Sequence, residues 1–199
     1  MIKKILLSSL LPLIFLNTLN AADTHIGLTY KETELAKQSA QQNTPDKFIK
    51  LNVESIVPVQ TLENKDEVYI ALTSYSSFSE PKHEEIPKFP SYLDSNALAS
   101  LKKISIWSGV VPAGEYINFK IAFVDRDNPP LNNDDLIGIV SLKIENKDGK
   151  IQYTYKDQVS GNVKTSSSMP VIPFRLKTRN SFYQTKIGVE VKEIVDQKE

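Results

Sequence analysis

Four carboxylates fall within eleven residues in the run Val124-Asp125-Arg126-Asp127-Asn128-Pro129-Pro130-Leu131-Asn132-Asn133-Asp134-Asp135-Leu136-Ile137-Gly138. Asp125 and Asp127 are two apart, so an extended chain points their side chains the same way. A loop that folds back brings Asp134 and Asp135 towards them. Such a cluster repels itself when bare. A hard cation that takes about six to eight oxygens at about 2.3–2.6 Å relieves the repulsion, and calcium fits that description. An EF-hand does not fit. With Asp125 as its first position, Pro130 stands where the glycine belongs and Leu136 where the bidentate glutamate belongs. Solvated turns also favour Asp, Asn and Pro, so the residues alone leave a calcium site and a plain turn as alternatives.

The elements around this loop are read from a period of two. Ile117, Phe119, Ile121 and Phe123 alternate with Asn118, Lys120 and Ala122, which predicts a half-buried strand entering the loop. Ile137 to Ile144 predicts the strand leaving it. Upstream, Ile49, Leu51, Val53 and Val57 are expected on one face, and Val68, Ile70 and Leu72 on another. Ile104 and Ile106 lead into Trp107, with a turn expected over Gly109 to Gly114. The Asp148-Gly149 pair predicts a tight hairpin turn before Ile151, Tyr153 and Tyr155. Met169 to Leu176 and Phe182 to Ile194 complete the set. Pro170 and Pro173 assign the first of these two to a sheet edge, because proline cannot donate to a central ladder. The polar stretches Ser74 to Ser100 and Val159 to Ser168 read as loops, the former with one short helix around Ser95 to Leu101. About eight strands and almost no helix make an all-β chain, a two-sheet antiparallel β-sandwich in preference to a barrel.

The remaining chain has a different character. Lys3 and Lys4 precede an apolar run from Ile5 to Leu16, and Ala21 and Ala22 follow a polar stretch. That layout predicts a signal peptide over 1–21 and an exported protein, periplasmic or secreted. Residues 22–47 are polar and read as a flexible arm, and 48–195 as the sandwich domain. No cysteine occurs, so disulfides and a lipid anchor on cysteine have no residue to form on. A short Lys-Lys signal on a cysteine-free exported domain suggests a bacterium. Basic and acidic residues balance at 24 each, and loss of the signal leaves 22 against 24. A nucleic-acid binder would carry a basic stripe instead.

At the acidic loop the chain resembles C2 domains, eight-stranded sandwiches that often bind calcium and phospholipid head groups. The resemblance rests on a strand ending in Asp125-x-Asp127 and on Asp135-Leu136-Ile137-Gly138 opening the next strand. Lys65-Asp66-Glu67-Val68-Tyr69-Ile70 is similar to the start of that family's second strand. The resemblance implies Asp66, Asp125, Asp127 and Asp135 as metal ligands, with Asp134 as an extra one and the Arg126 carbonyl between. It places Asp66 at the same end of the sandwich as the loop. Gln60 stands where the family offers a further aspartate, with Glu63 the nearby acid, so one ion is better supported than two. The acidic loop is about two residues longer than in that family, and Ser74 to Ser100 is also longer.

Other chemistry is thinly supported. His25 and His83 are the only histidines and lie in polar segments, too few for a zinc site or a catalytic base. No nucleophile elbow or phosphate loop occurs, so no enzyme is expected, and nothing signals a small-molecule substrate. Trp107 and the tyrosines read as packing residues. The expectation is an exported C2-like binding module with calcium in the 125–135 loop. The ion would bridge to an anionic membrane surface or a protein partner, with Leu131 at the tip. The alternative is a structural or adhesion-type sandwich without metal, and an exported hydrolase ranks last.

Overall fold

The computed structural model describes residues 44–127, 133–156 and 159–194. The expected signal peptide, residues 22–43 of the arm and the loop tip with Leu131 lie outside them. The described chain is almost entirely strand, in the order β1 (Lys47–Gln60), β2 (Glu67–Ser76), β3 (Lys82–Ile86), β4 (Leu93–Asp94), β5 (Ile104–Val111), β6 (Tyr116–Asp125), β7 (Asp135–Lys147), β8 (Lys150–Lys156), β9 (Val163–Ser166), β10 (Val171–Lys177) and β11 (Phe182–Glu193). A single 3-10 turn, Leu98–Ser100, stands where a short helix was expected. No described helix is long and apolar enough to cross a membrane.

Two antiparallel sheets pack face to face. One runs β10-β11-β1-β5; the other runs β3-β2-β6-β7-β8-β9, with β4 pairing alongside β2. The core follows from alternation. On β6, Ile117, Phe119, Ile121 and Phe123 are buried, and they meet Ile49, Leu51, Ile187 and Tyr183 of the facing sheet in one apolar cluster. Edge-to-face contacts at 5.0 Å (Trp107 on Phe119) and 5.5 Å (Tyr155 on Phe174) tie the layers together.

Several expectations change for identifiable reasons. A bulge between Val53 and Ser55 shifts the phase of β1, so Ile56 is buried and Val57, expected inward, is 41 % exposed. Strand β5 continues through Gly109 to Val111. The turn lies beyond it, where the Glu115 amide donates to the Pro112 carbonyl and Gly114 takes φ 78°. Strands β3, β4 and β9 occupy stretches read as loops. Strand β3 is exposed along most of its length, so no period-two signal marks it. Other expectations hold. Asp148 and Gly149 both adopt positive φ, as a tight hairpin requires. Strand β10, with Pro173 exposed, is an edge of its sheet.

Candidate functional site

The acidic residues collect at the end of the sandwich where β2 begins, β6 ends and β7 starts. Strand β6 runs with Phe123 inward, and the same alternation carries Asp125 inward at the last rung, where it is 3 % exposed. The Glu67 amide on neighbouring β2 donates to Asp125 Oδ1 at 2.6 Å. Burial is the largest influence on this carboxyl. It outweighs the amide's opposite pull, and the negative charges of Asp66, Asp127 and Glu63 add to it, so the pKa is pushed up to about 7. Across the strand pair, Asp125 is in register with Asp135, which is exposed. Like charges in that position repel. A bulge between Phe123 and Val124 brings the two aspartates into line, because β7 spends one extra residue at Ile137.

Asp66 is fully buried at the same end. Its side chain closes the preceding turn: Oδ2 accepts from the Leu62 amide at 3.1 Å and Oδ1 from the Glu63 amide at 3.0 Å. The Tyr183 hydroxyl on β11 donates to Oδ2, reaching across from the other sheet. Burial and this carboxylate both push the Tyr183 phenol up. The Asp66 backbone pairs with Ser95, amide to hydroxyl at 2.9 Å and carbonyl to amide at 3.0 Å, which binds the long 74–100 excursion to the same spot.

Asp127 and Asp134 fold together. The Asp127 amide donates to Asp134 Oδ1 at 3.1 Å, and the Tyr69 hydroxyl donates to Asp134 Oδ2 at 2.9 Å. Burial first and Asp134 second push the Tyr69 phenol up to about 12. Asp127 Oδ2 is shielded from solvent and has no hydrogen-bond partner among the described residues. A shielded carboxylate oxygen left unpaired is costly.

Arg126, the one cation of the loop sequence, turns the other way. Alternation sends it to the outer side, where it lies 4.3 Å from the Tyr69 ring centroid and 5.3 Å from that of Phe89. Its guanidinium donates to the Ser91 carbonyl at 3.1 Å and to Glu85 Oε2 at 2.9 Å. Among the described residues no lysine or arginine forms an ion pair with Asp66, Asp125, Asp127, Asp134 or Asp135.

Asp66, Asp125 and Asp127 therefore gather at one end of the sandwich. Asp134 joins them through the Asp127 amide, and Asp135, paired with Asp125 across the last rung, is exposed. Both Asp66 oxygens are occupied by the scaffold, so its chief role there is to hold the turn. Among the described residues no three acidic or histidine side chains already form a cage around one point. A cation here would draw Asp125 and Asp127 together with oxygens of the loop. No local pattern pointed to the bonds that Tyr183, Ser95 and Tyr69 make at this end. Their partners lie 117, 29 and 65 residues away, beyond the reach of any local pattern. No family model matches this chain, and no curated protein matches its sequence.

Proposed function

We propose that this chain is an exported, C2-like β-sandwich binding module that takes a calcium ion at its acidic end through Asp125 and Asp127. Asp134, Asp135 and loop oxygens complete the shell, and Asp66 holds the neighbouring turn. One observation carries this: among the described residues no lysine or arginine forms an ion pair with Asp66, Asp125, Asp127, Asp134 or Asp135, while Asp125 is buried and Asp127 Oδ2 is shielded without a hydrogen-bond partner. A divalent cation supplies the missing positive charge and uses the orphaned oxygen. Export rests on the Lys3-Lys4 start and the apolar run behind it. It delivers the chain to calcium-rich surroundings, where a modest site fills. Bound calcium would stiffen the loop and present open coordination positions to an anionic lipid surface or a protein carboxylate.

Titration of the mature protein with calcium, followed by calorimetry and thermal unfolding, tests this. A hundredfold excess over the dissociation constant stabilises by about 2.7 kcal/mol, and an Asp125→Asn/Asp127→Asn variant loses the shift. No shift in millimolar calcium, or an equal shift in that variant, removes the metal. Calcium-dependent co-sedimentation with anionic liposomes then separates a lipid partner from a protein one.

The hydrogen bonding of Asp66 favours a second reading, in which the acidic end is a structural latch within an adhesion-type sandwich. Its three accepted bonds need no metal. In that case calcium has no effect while Asp66 remains indispensable for stability.

A further inference from the structure

Away from the acidic end, edge strand β9 and the outer face of β10, β11 and β1 meet at one concavity. They leave a groove of about 470 Å³ lined by Lys164, Arg175, Lys186, Gln184, Val57 and Pro173 among others. The cations arrive there from different elements. On the outer face of one sheet, Pro173 pairs with Lys186 and Arg175 with Gln184, while Ser55 and Val57 of β1 continue the two rows. Lys164 comes from the other sheet. It is the cross-strand partner of buried Tyr155, so it shares that residue's inward face and reaches the groove from the sheet's edge. No acidic side chain among the described residues lines the groove.

The acids on the same outer face are already committed elsewhere. Lys103 Nζ lies 3.0 Å from Glu54 Oε1 and also pairs with Glu190, and Asn52 donates to Glu190 at 3.1 Å. Lys164 and Lys186 make no ion pair or hydrogen bond among the described residues. Lys164 and Lys186, on separate sheets, thus converge with Arg175 on one concavity, with the Gln184 amide and the Ser55 hydroxyl beside them and an apolar strip at Val57 and Pro173. The volume falls in the range of small-molecule sites, about 300–1,000 Å³. Lysine ammonium groups suit phosphate and sulfate oxygens, and Gln184 can bond to a hydroxylated body.

We infer that this groove binds a small soluble molecule that joins a phosphate or sulfate ester to a polar body of sugar size. The two lysines take the ester oxygens, and the strip at Val57 and Pro173 packs against the less polar face of the body. Both lysines are exposed, so binding is modest and weakens as salt rises.

The test is calorimetric titration of the mature protein at low ionic strength with glucose 6-phosphate, and with glucose as the uncharged control. Saturable binding of the phosphate ester alone is expected. Lys164→Gln/Lys186→Gln should weaken it about tenfold or more, as loss of two charge-assisted contacts implies. Lys164→Arg/Lys186→Arg should retain it, and Asp125→Asn/Asp127→Asn should leave it unchanged. Circular dichroism and the unfolding midpoint confirm that each variant is folded. Absence of saturable binding, equal binding of glucose, or undiminished affinity in the glutamine variant overturns the proposal. So does pelleting with phosphatidic acid vesicles that depends on the two lysines and is not displaced by glucose 6-phosphate, since that outcome assigns the groove to a membrane.

Discussion

At the acidic end, Asp66 and Asp125 are withdrawn from water and held by backbone amides and a tyrosine hydroxyl. In the groove that β9 shares with the outer face of β10 and β11, Lys164 and Lys186 stay in solvent. Each region gathers charges of one sign on neighbouring elements, yet the physical consequences diverge. Burial makes the aspartates part of the folding energetics and raises the proton affinity of one of them. Exposure leaves the lysines nearly without weight in stability, because water and salt screen them. The contrast separates a charge that the fold must accommodate from a charge that is available to a ligand.

The hardest test of that contrast is Asp66→Ala. It strands the Leu62 and Glu63 amides and the Tyr183 hydroxyl, and should destabilise by about 3–5 kcal/mol in urea unfolding. A change below about 1 kcal/mol would mean that the latch is not structural.

A smaller effect concerns pH. The Asp125 pKa is raised from 3.8 to about 7, so the folded chain keeps a proton that the unfolded chain has lost between those values. This contribution to stability is therefore full below about pH 4, declines as pH rises, and is gone above about pH 7. Without calcium, Asp125→Asn should flatten that decline by about 2 kcal/mol between pH 4.5 and 8, a figure reduced from the full linkage value because solvent reaches the rim of the cluster. Equal pH profiles for the two proteins, from denaturant midpoints, would show that Asp125 titrates normally. Calcium, which selects the ionised form, should oppose the decline above pH 7.

The smallest effect belongs to the groove. Lys164→Gln/Lys186→Gln should shift stability by less than about 0.5 kcal/mol in the same assay. A loss of 2 kcal/mol or more would erase the distinction between the two regions and give the lysines a structural role.

How much of this was legible in the sequence varies with distance along the chain. The strands with one wet face announced themselves through residues such as Ile117, Phe119, Ile121 and Phe123, because burial of alternate residues writes a period of two. Strand β3, which reads Lys82-His83-Glu84-Glu85-Ile86, has no dry face and left no such mark. The β1 bulge was equally silent, since an extra residue changes phase without changing composition; only Val57 standing outward reveals it.

Residue types and their spacing along the chain dictate the all-β class, the alternating apolar faces of the strands, the glycine hairpin at Asp148-Gly149 and the concentration of carboxylates around Asp125. These depend on side-chain chemistry and spacing within about ten residues, where local geometry dominates. Tertiary structure decided which charges are buried and which are wet. It brought Tyr183 to Asp66, turned Arg126 away from its neighbouring aspartates, and set Lys164 beside Lys186. Those outcomes require two sheets to meet, and the dielectric around a charge is fixed only when they do.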